Sequence, residues 1–378
     1  MRDSTANDLR ITSRLTSPSA ALRAVIVPFL ATRAGVLLVG LGAAVFVGYR
    51  PEAGEPSSWR VAIDPVRNLL ARWDTFWYLD IATRGYHWNG NPLEQQNVVF
   101  FPLFPMMMRA AGTVVGGHPL LAGLLVSLAA FLAALCYFWR WTAERAGVDA
   151  ATGAVWLLSV FPHAIFFSAV YTESLYLLIV VSACYYAERR LFWRAAAIGL
   201  LAGVVRPNGI LLSLSIGIIA FVTNRDRGRL IPRAAAALTP VFGVLCFSAY
   251  LAWRVGDATA WVANQAAWPD NFGIHTPSAH VNLWWVPNAL ALAVVVSALA
   301  ALTTLLGAAY GVFIVANIGP PLLRHGLISI GRFCSVLFPV FAWLATRVSG
   351  RARTVLIIAF ALGQAILAAL FFTWHPVV

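Results

Sequence analysis

The chain contains no lysine. All 27 of its Lys-or-Arg positions are arginine, set against 15 acids, and charged residues make up only 11% of the sequence. A soluble domain carries about 25% charged and roughly 45–50% apolar residues; here 60% are hydrophobic. A water-soluble core has no room for that much apolar surface, whereas a bilayer does. The net charge of +12 would point to nucleic acid in a soluble protein. In a membrane protein it reads as topology, because arginine collects in cytoplasmic loops, so no nucleic-acid partner is expected. Cysteine is scarce. Cys136, Cys184, Cys246 and Cys334 each lie in or at the edge of an apolar run, with no CxxC spacing, which excludes a disulfide framework or a cysteine metal site and leaves small buried hydrophobes. No P-loop, dinucleotide fingerprint, HExxH or Ser-His-Asp pattern occurs, so ATP-driven transport and use of a soluble nucleotide sugar are unsupported. Repeats, heptads and low-complexity tracts are absent as well.

What is present is a series of apolar runs. Candidate spans fall near 24–48, 119–139, 151–169, 173–187, 195–205, 209–223, 234–252, 286–303, 304–322, 328–346 and 354–373. They predict an all-α polytopic bundle of about 10–11 transmembrane helices in one membrane domain, 24–378, after a polar cytoplasmic tail, 1–23. The runs 195–205 and 209–223 are each too short to cross alone and flank Arg206-Pro207-Asn208-Gly209, a pattern that reads as a broken or re-entrant hairpin lining a cavity. Placing the N-terminus inside puts the arginine clusters at 140–145, 189–194, 225–233 and 347–353 inside, provided the RPNG hairpin counts as two passes and 286–322 crosses twice with an uncharged turn near Thr303 and Thr304. Arg332 then lies outside. Two long loops, about 50–118 and 253–285, also lie outside. The expected location is the plasma membrane, multi-pass.

The strongest constellation is RWDTFWYLDIATRGYHWNG, residues 72–90. Asp74 sits among Trp73, Phe76, Trp77 and Tyr78, and Asp80 follows six residues later. On a helix the two carboxylates do not share a face, while Asp74 and Tyr78 do. A carboxylate walled by aromatics can take a proton from a hydroxyl nucleophile, and flat rings suit the apolar faces of a sugar. The plainer alternative is an interfacial amphipathic helix whose aromatics form a headgroup belt. NVVFFPLFPMMMR, residues 97–109, is a loop-to-helix junction or a substrate lining.

In FPHAIFFSAVYTESLYLL, residues 161–178, His163 and Glu173 stand at the end of a tight hairpin. An acid so close to hydrocarbon is a functional candidate by default; the alternative is a helix cap, Thr172 with Glu173 in the first turn. Arg206 of RPNG needs a counter-anion, either a phosphate gripped by its fork of donors or a protein carboxylate. Arg332 opens GRFCSVLFPVFAWLA, residues 331–345, as a snorkelling anchor or a lipid-phosphate contact. Arg33, inside the first span, reads as snorkelling inward. His275 and His280, five apart in the second loop, are a weak metal signal.

Taken in order, RWDTFWYLDIATRGY, FFPLFP, FPHAIFFSAVYTESLY, RPNG and GRFCSVLFPVFAWLA resemble the PIG-V-like mannosyltransferases of the GT-C superfamily, over about residues 70–345. The Lys-free, Arg- and Ala-rich composition looks like that of a bacterial member. The resemblance implies a GT-C-like bundle with a large first extracytoplasmic loop and an inverting transfer of a sugar, typically mannose, from a polyprenyl-phosphate donor on the outer face. It implies that Asp74 is the general base. Many members carry two adjacent acids there, but here Thr75 follows Asp74, so Asp80 or Glu173 would have to be the second. Some members use a divalent metal. No cofactor is otherwise called for, and no cage for a metal stands in the sequence.

The expectation is therefore a hexosyltransferase in which Asp74 is catalytic. Trp73, Trp77, Tyr78, Asp80, His163, Glu173, Arg206, Asn208 and Arg332 would bind donor and acceptor. The acceptor would be a glycolipid, glycan or protein at the bilayer. The rival from another class is a transporter or flippase of lipid-linked sugars, which shares the broken hairpin and buried arginines but leaves the carboxylate in an aromatic-rich loop unexplained. A third reading keeps the enzyme class and changes the sugar.

Overall fold

The computed structural model describes residues 18–48, 61, 64, 66, 68–223, 229–268, 285–305, 307–375 and 377. Among them there is no strand. The longer helices are α1 (Pro18–Phe46), α2 (Thr75–Arg84), α3 (Leu103–Val114), α4 (Pro119–Val160), α5 (Glu173–Glu188), α6 (Phe192–Val205), α7 (Leu212–Ile218), α8 (Leu230–Val255), α9 (Trp285–Leu305), α10 (Ala308–His325), α11 (Ile330–Ser335), α12 (Phe338–Arg347) and α13 (Gly350–Phe372). Among the described residues α1, α4, α8 and α13 are long and apolar enough to cross a membrane. A fifth is the bent pair of Pro162–Ser168 and α5, which turns through 99°. The chain is thus an all-α polytopic membrane protein. Fewer helices than the expected ten or eleven are long enough alone, because several apolar runs are short or interrupted.

The interruptions are where side chains and glycines require them. Straight, the 42 residues of α4 would reach about 63 Å, twice the hydrocarbon thickness. Gly147 breaks it at φ 83°, ψ 170°, a conformation open mainly to glycine. Trp139 Nε1 donates to Thr152 Oγ1 at 3.4 Å, although on a straight helix these residues would lie about 20 Å apart. So α4 is a hairpin, folded at the arginine-bearing turn near 140–145 that the sequence predicts. Its first arm runs alongside α5 in the same direction. Ser127 Oγ donates to Tyr171 O (3.2 Å) at one end, and Trp141 Nε1 donates to Glu188 Oε2 (3.0 Å) at the other.

The RPNG hairpin straddles α8. A Cβ on Gly199 would come within 3.2 Å of Thr239 Oγ1, and one on Gly203 within 2.8 Å of Val244 N, so α6 runs alongside α8 in the same direction and touches its backbone. On the other side Gly217 faces Ala237 and Arg233 Nε donates to Ala220 O at 2.6 Å, in the reverse direction. The apex, with Ile210 packed beside Val244 and Phe247, stops about two turns short of the end of α8.

These directions define two ends. One carries the Asp74 turn, the RPNG apex, Glu173 and the C-terminus of α13. The other carries the arginine-rich turns. Arg353 Nη2 reaches Asp149 Oδ1 at 2.8 Å beside the α4 turn, so Arg332 and Arg353 lie at opposite ends. The turn between α9 and α10 falls at Gly307, φ 86°, a few residues past the Thr303–Thr304 position expected. Tyr310 OH just beyond it donates to Glu188 Oε1 at 2.6 Å, which puts this turn at the arginine end too. Over the opposite end fold the first loop and the start of the second. They are joined by the buried Asn264, which donates to Glu94 O (2.6 Å) and accepts from Gln96 N–H (3.1 Å).

Candidate active site

The turn before α2 is built to present Asp74. Arg72 is almost fully buried, and its guanidinium donates twice to Phe372 O (3.0 and 2.9 Å) and once to Ala71 O (3.1 Å). It also bonds Asn68 O and lies 5.5 Å from the Trp374 ring. Trp73 is held left-handed at φ 49°, a conformation that costs a non-glycine residue on the order of 1 kcal/mol or more. Its ring packs 5.0 Å from Trp374. The backbone N–H of Asp74 donates to Tyr171 OH at 3.2 Å, and that hydroxyl donates to Arg72 O at 3.3 Å. These contacts fix the backbone from which the Asp74 side chain projects.

It points at Arg332, far along the sequence. Arg332 Nη1 meets Asp74 Oδ2 at 2.6 Å, and Arg332 Nε hydrogen-bonds Glu173 Oε1. On the same Glu173 oxygen lies Arg206 Nη1 at 3.2 Å. The result is an alternating row, Asp74–Arg332–Glu173–Arg206, whose charges cancel. Glu173 is fully buried, Arg206 and Arg332 are nearly so, and Asp74 keeps 26% of its side chain exposed. Charges this deep are tolerated only when paired. Rings complete the cage: Arg332 lies 4.6 Å from Tyr171 and 5.3 Å from Phe166, and Arg206 lies 5.4 Å from Phe333 and 5.6 Å from Tyr176. Both arginines thus have the protein-carboxylate partner rather than standing alone, and Arg332 is not a snorkelling anchor. Nor does Thr172 cap α5 through its side chain.

The row still has polar capacity to spare. Glu173 Oε2 and Arg206 Nη1 are buried and make no hydrogen bond among the described residues, and Asp74 Oδ1 is likewise unengaged. Native interiors rarely leave such groups idle. Tyr78 borders the row with its hydroxyl 3.5 Å from Thr172 Oγ1. Burial pushes its phenol up to about 12, with Arg332 pulling the other way, so it is a neutral hydroxyl across the physiological range. Asn208 donates to Asn317 Oδ1 (3.0 Å), which also takes the Tyr176 hydroxyl (2.8 Å), and this fixes the RPNG apex against α10. His163 is fully buried with no hydrogen bond on either nitrogen among the described residues, and it packs on Gly331, where a Cβ would stand 2.2 Å from its ring.

Three residues expected at the substrate have contacts outside the charged row. Asp80 faces away from Asp74, as their six-residue spacing on a helix implies. It accepts from Asn97 Nδ2 at 2.7 Å and pairs with Arg84, which ties down the loop 85–97. Trp73 is committed to Trp374. Trp77 stacks on Phe100 at 5.8 Å, with Trp268 edge-on at 5.8 Å, in an aromatic cluster beside the row. Arg33 does not snorkel: it is buried and donates to Ser159 O (2.7 Å), Ala164 O (2.6 Å) and Ser168 Oγ (3.0 Å), bracing the 3₁₀ turn that carries His163. His275 and His280 lie outside the described residues. Sequence reasoning missed Tyr171, Arg72 and Asn317. Asn317, a lone amide buried in an apolar helix, carried the intramembrane-polar signal that could have found it.

Among the described residues no three His, Cys, Asp or Glu side chains converge, and the two carboxylates of the row already face two guanidinium groups.

A family model described as Mannosyltransferase (PIG-V) matches residues 58–230. Just under half of the chain is thus similar to the PIG-V mannosyltransferases. No curated protein matches the chain. The matched stretch contains Asp74, His163, Glu173, Arg206 and Asn208. Arg332 lies beyond it and is tied to that stretch by its contacts with Asp74 and Glu173. The chain is thus a membrane-embedded mannosyltransferase with a buried row of alternating charge next to the turn that presents Asp74.

Proposed function

We propose that this enzyme moves a mannosyl residue from a polyprenyl-phosphate donor to a membrane-associated acceptor on the extracytoplasmic face, with inversion at the anomeric carbon. Asp74 Oδ1 takes the proton of an acceptor hydroxyl as that oxygen attacks the anomeric carbon. The bond from that carbon to the phosphate oxygen breaks, and polyprenyl phosphate leaves with the electron pair. The observation that carries this reading is the difference in access along the row: Asp74 is its partly exposed carboxylate with a free oxygen, whereas Glu173 is sealed. Arg332 on Oδ2 then orients the base, and Glu173 holds the two arginines. Arg206, whose buried Nη1 faces Glu173 Oε1 at 3.2 Å without a hydrogen bond, suits the charge that develops on the leaving phosphate. The aromatics of the two loops would line the sugars, and the acceptor would be a glycolipid, glycan or protein of a bacterial cell envelope.

The test is reconstitution of the full chain with polyprenyl-phosphate mannose and a membrane acceptor extract. Asp74→Asn should lower transfer by about 10²–10⁴-fold, the range for losing a general base, in a variant that still folds because Arg332 keeps Glu173 as its partner. Undiminished transfer in the folded variant would remove Asp74 from the mechanism. Movement of the donor lipid across the bilayer without transfer would favour a flippase.

A further inference from the structure

At the end of the bundle opposite Asp74, the outgoing arm of α4, the end of α5 and the start of α6 enclose a cavity of about 420 Å³. Arg140, Arg189, Arg194, Tyr137, Tyr186 and Leu191 line it, together with Tyr185. Its chemistry is cationic and aromatic. The Arg189 guanidinium lies 3.4 Å from the Tyr185 ring centre and that of Arg140 lies 5.9 Å from it; Arg194 lies 5.6 Å from the Tyr186 ring. The one carboxylate that pairs with these arginines among the described residues is Glu144, 3.6 Å from Arg140 and also bridged to Arg189. Three positive charges against one negative leaves two unbalanced, and Arg194 has no acidic partner among the described residues. The hydroxyls of Tyr137 and Tyr186 share a 2.8 Å hydrogen bond. One of them donates, which leaves the other a proton to give to a ligand oxygen.

This charge stands at the edge of apolar surface. Leu191 is 40% exposed and the neighbouring Trp193 is 63% exposed, a pairing of aromatic anchor and arginines typical of the membrane–water interface. We propose that this cavity is a binding site for the phosphate of an anionic phospholipid headgroup, gripped by Arg189 and Arg194 with a tyrosine hydroxyl as third donor, while the acyl chains lie along Leu191 and Trp193. Along α5 it stands about 20 Å from Glu173, so it is separate from the sugar-transfer site, and its occupancy does not depend on the transfer reaction.

The test is native mass spectrometry of the full chain in neutral detergent, titrated with phosphatidylglycerol, phosphatidylcholine or inorganic phosphate. Phosphatidylglycerol should fill one tight site that phosphatidylcholine does not. Arg189→Gln and Arg194→Gln should each weaken that site about fivefold. Arg189 also pairs with Glu144, so its loss can disturb packing; exposed Arg194, which lies over the Tyr186 ring, carries the test alone if Arg189→Gln lowers the thermal midpoint. Wild-type retention of phosphatidylglycerol by folded Arg194→Gln would overturn the proposal. Displacement of the lipid by inorganic phosphate at comparable concentration would also overturn it, by making a soluble anion the ligand.

Discussion

The two ends of this bundle use the same residue type in opposite ways. Near Asp74, Arg206 and Arg332 are buried and locked onto Glu173 and Asp74. At the far end Arg140, Arg189 and Arg353 pair with Glu144 and Asp149 in reach of solvent, the Asp149 side chain being 82% exposed. In the first setting each charge is there because its partner is, and removing one strands the others. In the second, water takes over when a partner leaves, and the pair is worth little. An arginine in this chain is therefore a charge in reach of water at one end and a buried, paired one at the other. Its depth, not its identity, separates the two.

Removing the partners one at a time should break or sharpen that contrast. The largest effect is expected for Glu173→Ala, which leaves buried Arg206 with no carboxylate among the described residues and Arg332 with Asp74 alone. It should cost about 3–5 kcal/mol, seen as a collapse of the thermal midpoint in detergent. Gly331→Ala should come next. Its Cβ would press within 2.2 Å of the His163 ring, which is buried and has little room to yield, so about 1–3 kcal/mol is expected. Displacement of Arg332 should then lower transfer as well as stability. Asn317→Leu leaves the Tyr176 hydroxyl and the Asn208 amide without their shared acceptor and should cost about 1–3 kcal/mol. Smallest is Arg353→Ala, which breaks the exposed pair with Asp149 and should cost less than about 1 kcal/mol with transfer intact. If Arg353→Ala matched Glu173→Ala in either measurement, depth would not be the deciding variable.

The same contrast explains what could be read in the sequence. The arginine-rich turns were legible, because charge bias acts locally and shows in a few consecutive residues. Asp74 was legible as a lone acid among aromatics, and Glu173 and Arg206 as ionisable groups in apolar surroundings. Their pairing was not legible. Asp74 and Arg332 are 258 residues apart, and only the alternating directions of the helices bring them together. The turn at Gly307 was misplaced by a few residues because no charge marks it in a long apolar run; the mark was a glycine needing positive φ. Asp80 was offered as the second acid that the family resemblance implies, and helical geometry turns it toward Asn97 and Arg84.

The clamp of Arg72 on the carbonyl of Phe372 couples the beginning of the first loop to the last turn of the final helix. The turn that aims Asp74 is therefore finished only after α13 has been made and docked, so the enzyme would be inert during synthesis until Phe372 had emerged. The same dependence offers a handle. A protease site engineered just ahead of Phe372 would act as an off-switch for transfer, releasing Trp73 and Asp74 together without altering any residue placed against the substrates.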